Sequence, residues 1–428
     1  MMPSPRLEQL ISAVYGDDCR ERTSPTLAGF YLTAAESLWG YLGESFDKGL
    51  APKPSVEVVH SAIARPTTFL NGYSETLVYD QNLGQIFNRL TSLVTEDAPA
   101  HAVDEYVYKL YAQRAFIVGR FRTSALFGLA AKALQSQVGS LPQDPANQAY
   151  KGRLVAAQEV FVIAHELVHT CLSRDAVGAG ERTSWYADLM RLAHNGPFYH
   201  ADFPALSDKQ EIEAAFDENY MDSIRNALRR RGVPDSDLPS QVRDSEKTRS
   251  LLETRERMAQ LVTERTGLLQ ECVCDAFAVI ASLKALTRHG HNPVEVSSGA
   301  VLALHNLRLM QFLDRVLTGR LGSSDIYSLS DFFSHAVARV SMLRAFITAL
   351  LALNGEHDAA EAIHRHLIRL NEIHGTVVFN QVMHCINFSA LESQLEQMPE
   401  MMASAADFEA DRDSLKRLLG FRVVLNLP

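Results

Sequence analysis

Hydrophobic residues recur three to four positions apart along most of the chain, a spacing that buries one face of an α-helix. In the first such segment, Leu7, Ile11 and Val14 fall on one helix face. The pattern predicts helices over residues 1 to about 50, 82–95, 103–137, 147–172 and 245–288, and five or six more within 294–428. The chain is therefore expected to be dominated by helices.

Residues 51–80 break this pattern with a composition rich in Val, Thr, Tyr and Phe. Because β-branched and aromatic residues favour extended backbone, we predict strands near 55–62 and 67–79. The dipeptide Asn71-Gly72 predicts a hairpin turn, since both residues tolerate the positive φ angles of a tight turn. The predicted fold class is α+β and helix-dominated, with one small β-sheet.

Interruptions of the periodicity divide the chain into three predicted regions. These are an N-terminal helical extension, a central core and a C-terminal helical region, at residues 1–50, 51–293 and 294–428. Gly290 and Pro293 mark the second boundary, because glycine can take the left-handed cap position and proline cannot continue a helix. Residues 173–244 are irregular and contain several glycines and prolines, so we interpret them as an insert that acts as a lid or latch.

Composition and charge narrow the class of protein. The 428 residues are 46% hydrophobic, and the chain has a net charge of −10 and a pI near 5.8. This negative charge argues against a nucleic-acid binder, which usually has a basic face. The five cysteines are sparse and odd in number, which predicts a reducing compartment. The N-terminus lacks the apolar core of a signal peptide, and no window approaches about 18 uninterrupted apolar residues. We expect a cytoplasmic protein with no membrane span and no nucleic-acid partner.

One pentapeptide in the helix predicted at 147–172 has the residue types of a metal site. His165-Glu166-Leu167-Val168-His169 has the pattern H-E-x-x-H, in which two histidines four positions apart share a helix face. Zinc binds neutral imidazole and lowers the pKa of its water, and Glu166 is placed to accept that water's proton. The alternative is that two histidines and a glutamate coincide in an ordinary core helix.

Catalytic zinc usually has three protein ligands, so a third ligand is needed. About 100 residues later, Glu271 and Asp275 lie four positions apart in the apolar segment LLQECVCDAFAVIASL. Two carboxylates among apolar neighbours are costly unless a positive group such as a metal ion compensates. We predict Glu271 as the third ligand and Asp275 as the acceptor for the outer N–H of a ligand histidine. The alternative is an acidic pair at a surface or a helix terminus.

Together the two motifs resemble the zincin metallopeptidases whose third zinc ligand is a glutamate, the gluzincins. The pairing of H-E-x-x-H with Glu271-x-x-x-Asp275-x-x-Ala278 is similar to one branch in particular. That branch contains the CAAX prenyl proteases, the heat-shock membrane metalloproteases and their soluble peptidase relatives. The resemblance covers about residues 55–345 and implies a zincin-like catalytic core over 51–293, one Zn²⁺ per chain and hydrolysis of peptide bonds. It implies no membrane-embedded substrate, because the membrane helices of the best-known members are missing.

Two further features follow from the resemblance alone. The branch has an edge strand before the metal helix to which substrate backbone adds, and Glu75–Tyr79 is the corresponding segment. It also has a later His-Pro-x-x-x-x-Arg segment, which Ser334–Arg339 matches without the proline and with a spacing two residues shorter. His335 and Arg339 are therefore candidates for contacts with an oxyanion or with substrate.

Other reactive side chains follow no spacing that selects them for chemistry. Cys272 and Cys274 lie between Glu271 and Asp275 but project in helical directions other than that of Glu271, so we predict small buried cysteines rather than zinc ligands. The stretch Arg243–Arg265 predicts a solvated helix face. The remaining candidates are each predicted to be structural: His364, His366, His374, His384, Tyr186, Tyr199, His200 and Tyr220.

The sequence thus predicts a zinc metalloendopeptidase that hydrolyses a protein or peptide substrate with a zinc-bound water activated by Glu166. Two alternatives stay open. One is a catalytically silent zinc-binding scaffold that acts through its C-terminal helices. The other is a hydrolase or lyase of a different substrate with the same metal triad. The C-terminal helices are also a candidate surface for a regulatory protein partner.

Overall fold

A computed structural model describes residues 5–420 apart from a set of gaps: 16–18, 20–22, 46–52, 62, 65, 72–73, 97, 137–144, 174–187, 189–265, 318–325 and 380–387. The described elements, numbered along the chain, are α1 (Pro5–Tyr15), α2 (Pro25–Ser45), β1 (Ser55–Val59), β2 (Thr67–Asn71), β3 (Ser74–Asp80), α3 (Asn82–Thr95), α4 (Ala100–Ile117), α5 (Phe121–Gln135), α6 (Pro145–Ser173), α7 (Thr266–Thr287), α8 (Pro293–Leu317), α9 (Ile326–Leu353), α10 (His357–His374), a π-helical segment (Gly375–Phe379), α11 (Phe388–Glu396), α12 (Pro399–Ala410) and α13 (Arg412–Leu418). Helices dominate and one small sheet accompanies them, as predicted.

The sheet has three strands in the order β1-β3-β2. β2 and β3 form the predicted antiparallel hairpin, in which Asn71 pairs with Ser74, so the connecting residues are 72–73 rather than Asn71-Gly72. β1 pairs with the other side of β3 in parallel. The prediction that 75–79 is an edge strand is therefore wrong. Because β3 is hydrogen-bonded along both sides, it has no free edge to which substrate backbone could add.

The two faces of β3 are covered by different helices, as the alternation of side chains along a strand requires. Leu77 and Tyr79 belong to the main hydrophobic core, which includes residues of all three predicted regions. Val78 lies on the other face in a small cluster with residues of α1, among them Leu7 and Ile11. The N-terminal helix thus seals the outer face of the sheet.

Glycines at positive φ end two of the helices. The helix predicted at 103–137 is divided into α4 and α5, because Gly119 has a φ of 78° and interrupts the helical path. Gly290 has a φ of 82° just after α7, which confirms the predicted helix end. α8 then begins at Pro293, with the Val294 N–H donating to Asn292 Oδ1 at 2.8 Å.

α6 carries the H-E-x-x-H motif through the centre of the fold, where it contacts α3, α7 and α8. Residues 145–172 of this helix are long and apolar enough to cross a membrane by length and composition, but 78% of their apolar stretch is buried inside the fold. Burial on all sides is the usual state of a core helix. The predicted insert 173–244 and the charged stretch Arg243–Arg265 lie almost wholly outside the described residues.

Gly299 of α8 lies so close to α6 that no side chain fits between them. A Cβ at Gly299 would lie 2.4 Å from Ala157 Cβ. Gly299→Ala must push two core helices apart, and overpacking of this kind costs about 1–3 kcal/mol. Gly152→Ala in α6 is the matched control, because its added Cβ meets nothing within 4 Å and alanine favours helix by about 0.5–1 kcal/mol. Relative to wild type, the urea midpoint should fall for Gly299→Ala and rise for Gly152→Ala. Unchanged stability of Gly299→Ala would contradict this packing.

The buried carboxyl of Glu159 in α6 should make stability depend on pH. Burial raises the pKa of Glu159 from 4.5 to about 7, although a 2.6 Å hydrogen bond donated by the Tyr31 hydroxyl opposes the rise. The folded state therefore keeps a proton that the unfolded state releases above about pH 4.5. Stability should fall between about pH 4.5 and 7 and then level off, a loss of about 3 kcal/mol at about 1.4 kcal/mol per pH unit.

Glu159→Gln stays neutral at every pH and should lack this loss. Urea titrations of wild type and variant at pH 4.5 to 8 should give curves that diverge by about 3 kcal/mol, with the variant relatively more stable at the high end. Parallel curves would show that the carboxyl is not protonated in the folded state.

Candidate metal centre

α6 and α7 pack together and join the two motifs that about 100 residues separate in the sequence. His165 and His169 lie one turn apart on α6, and Glu271 projects from α7. One ligand atom from each of these three side chains lies within 4.8 Å of the other two. The group formed by His165, His169 and Glu271 could therefore hold a metal ion.

The ligand atoms converge on one small volume. The two Nε2 atoms of His165 and His169 are 3.0 Å apart. The carboxylate of Glu271 faces both of them, with Oε1 3.1 Å from His169 Nε2 and Oε2 3.4 Å from His165 Nε2. Two imidazoles and one carboxylate form a donor set that zinc accepts with a coordination position left for water or substrate. The side chain of Glu271 is 35% exposed, so one side of the group is accessible.

Asp275 and Arg339 support the ligands from the buried side. Asp275 is 1% exposed, and its Oδ1 lies 2.9 Å from His165 Nδ1. Arg339 of α9 donates two hydrogen bonds of 2.8 Å to the Asp275 carboxylate and places Nη1 3.0 Å from Glu271 Oε2. The guanidinium of Arg339 thus pairs with both carboxylates, that of Asp275 behind His165 and that of Glu271, which faces the two histidines. Asp275 thus lies beside the outer nitrogen of His165, the position that we predicted for it from the sequence.

These contacts shift the pKa values toward ionised carboxylates and a positive His165. Burial alone would lower the pKa of His165, but Asp275 and Glu271 outweigh it and raise the value to about 9. Burial would raise the pKa of Glu271, but His165, His169 and Arg339 hold it far below its usual range. Burial of Asp275 is likewise outweighed by Arg339 and His165, so its pKa is lowered. Both carboxylates are therefore ionised, and their negative charge faces His165 and Arg339.

Cys274 makes a contact that the sequence analysis missed. It is fully buried, as predicted, but its Sγ also lies 3.5 Å from His169 Nδ1. Burial raises the pKa of the Cys274 thiol, and the charges of Glu271, Asp275 and Glu166 raise it further. Glu166 therefore lies within electrostatic reach of Cys274. The spacing of three residues between Glu271 and Cys274 on one helix is the signal that could have revealed the contact.

The other sequence candidates are only partly brought to this centre. Arg339 is at the centre, where it pairs with carboxylates, and a contact with substrate or an oxyanion stays a prediction. His335 lies one turn earlier on α9, but its side chain is outside the described part of the chain. Five other candidates also lie outside the described residues: Tyr186, Tyr199, His200, Tyr220 and His384. His364 and His374 are buried and lie outside the metal group.

No protein-family model, curated protein or solved structure gives a match to this chain.

Proposed function

We propose that the chain is a zinc-dependent metalloendopeptidase with a zincin-like core of the gluzincin type. The observation that carries this proposal is the convergence of His165 Nε2, His169 Nε2 and the Glu271 carboxylate within 4.8 Å. A glutamate directly after the first ligand adds the base that hydrolysis needs. The donor set fits zinc, and the partial exposure of Glu271 gives substrate a way to the group.

In this proposal each side chain has a defined task. His165, His169 and Glu271 would hold zinc, which when bound would polarise the scissile carbonyl and lower the pKa of the attacking water. Glu166 accepts the proton of that water and delivers it to the leaving amine. Asp275 keeps a proton on His165 Nδ1, which leaves Nε2 free as the ligand atom.

The buried arginine–carboxylate pair has a positioning task. Arg339 satisfies both oxygens of Asp275 and one oxygen of Glu271, so it fixes the side chain that orients a ligand and a ligand itself. Fixed orientation of the ligands lowers the entropy that is lost when a metal ion or substrate is bound. Arg339 is therefore proposed to preorganise the centre.

We further propose a cytoplasmic location and a protein or peptide substrate. The four cysteines in the described part of the chain, Cys19, Cys171, Cys272 and Cys274, are buried thiols that form no disulfide, which suits a reducing compartment. The silent scaffold and the hydrolase or lyase of another substrate remain the competing functions, because both would use the same metal group. A regulatory partner at the C-terminal helices stays a proposal.

Metal analysis of the purified full-length chain tests the proposal. Elemental mass spectrometry should find about one zinc per chain in wild type and much less in Glu271→Ala, because one of three protein ligands is lost. Glu361→Ala, with a side chain 54% exposed on α10, is the control and should keep its zinc. The same spectra report iron, which accepts a similar donor set.

Cleavage of casein or of peptide libraries then distinguishes the functions. Wild type should cleave, and a chelator should abolish the cleavage. Bound zinc without any peptide turnover would favour the scaffold or another substrate. No metal in wild type after reconstitution would reduce H-E-x-x-H to a coincidence of helix composition.

A further inference from the structure

A second polar site lies among the C-terminal helices and shares no residue with the metal centre. It is a cavity of about 180 Å³ between α8, α9 and α10. Six polar side chains contribute to its lining: His305, Arg308, Ser341, Arg344, Asn371 and His374. The titratable groups among the described lining residues are all basic, and no carboxylate is among them.

The two histidines are buried and held in place. Their rings stack with centroids 4.8 Å apart and an interplanar angle of 20°, and His305 and His374 are 6% and 3% exposed. His374 Nε2 lies 3.1 Å from the Asn306 side-chain oxygen, and the Asn306 amide donates to Gln158 of α6 at 2.7 Å. This network fixes the ring of His374 from behind, so the orientation of the pair is determined by the core.

His305 Nε2 is buried and has no hydrogen-bond partner among the described residues. A buried polar atom of this kind is costly to leave unsatisfied, which points to a ligand atom in the cavity. Burial, His374 and the two arginines hold the pKa of His305 well below its ordinary value. Burial and Arg308 lower the pKa of His374 to about 3. At neutral pH the two histidines are therefore uncharged, and the positive charge at the cavity is that of Arg308 and Arg344.

We propose that this cavity binds a small anion that carries a phosphate group. The planar guanidinium groups of Arg308 and Arg344 present paired N–H donors that match phosphate oxygens, and Ser341 and Asn371 add neutral donors. The volume of about 180 Å³ suits a phosphate with a small substituent and is below the roughly 300–1,000 Å³ of pockets for drug-sized ligands. The inference does not depend on the proposed peptidase activity.

Isothermal titration of the full-length chain with inorganic phosphate, at constant ionic strength in chloride, tests this site. Wild type should bind one phosphate per chain, and phosphate should also raise the melting temperature, because a ligand of the folded state stabilises it. Arg344→Met should weaken binding about tenfold or more, since a charge-assisted contact is lost. Arg365→Met is the control: its side chain is 71% exposed on α10, outside the cavity, and its affinity should equal that of wild type.

Two further ligands and one gentler variant complete the test. Glycerol 3-phosphate binding more tightly than inorganic phosphate identifies a phosphate monoester as the ligand, and the reverse order identifies free phosphate. Malonate binding as tightly as phosphate would overturn the phosphate assignment. Ser341→Ala removes one neutral donor and no charge, so it should fold even if Arg344→Met does not. Its affinity for phosphate should be weaker than that of wild type. No binding to wild type, or equal affinities of Arg344→Met and Arg365→Met, would overturn the proposal.

Discussion

Glu166→Gln is expected to keep its zinc and to lose peptide hydrolysis. Glutamine has almost the shape of glutamate but cannot accept a proton, so only the base is removed. The residue is not one of the three side chains that converge as ligands, so metal binding should persist. Positioned general bases contribute roughly 10²–10⁴-fold to rate, and kcat should fall by about that factor while KM changes little.

Steady-state kinetics with a peptide substrate and zinc content of the same samples are the measurements. Glu356→Gln, at an exposed position just before α10, controls for the loss of a negative charge and should cleave like wild type. A Glu166→Gln enzyme with the wild-type kcat would refute the general-base role. Loss of zinc together with activity would instead make Glu166 a residue that supports the metal group.

The spacing of residues along the sequence was enough to predict the two histidines of the candidate site. His165 and His169 share a face because helix geometry puts residues four apart on one side, so their convergence follows from the sequence alone. Glu271 could be selected only through the cost of a carboxylate among apolar neighbours. Its approach to the two histidines depends on how α7 packs against α6, which no local pattern determines.

Long-range pairing accounts for what the sequence did not predict. Arg339 lies 64 residues from Asp275 in the sequence. The incomplete motif around Arg339 gave no indication that its guanidinium pairs with both Asp275 and Glu271. The strand composition predicted the hairpin of β2 and β3, but it could not show that β1 adds in parallel to the other side of β3. A strand's composition does not determine its neighbours, so its position at the centre or the edge of a sheet must come from the tertiary structure.

Arg339→Met should be among the most destabilising single changes at the centre. It leaves the carboxylate of Asp275, which is 1% exposed, without the two hydrogen bonds of 2.8 Å that the guanidinium donates. Removal of one partner of a buried ion pair costs about 3–5 kcal/mol, because the remaining charge is left uncompensated. Arg153→Met is the matched control: Arg153 also joins two helices through a 2.9 Å ion pair, but it is 42% exposed, so its loss should cost only about 0–1 kcal/mol.

A double-mutant cycle separates this pairing from a general packing defect. Asp275→Asn in the Arg339→Met background removes the orphaned charge, so the double variant should lose less free energy of unfolding than the two single variants together. Urea denaturation in the presence of a chelator measures the chain without help from bound metal. Zinc competition should in addition show about 10- to 100-fold weaker binding in both single variants, because Asp275 then no longer holds His165 in its ligating orientation. If Arg339→Met were no more destabilising than Arg153→Met, the arginine would not hold the centre together, and its role would have to lie with substrate instead.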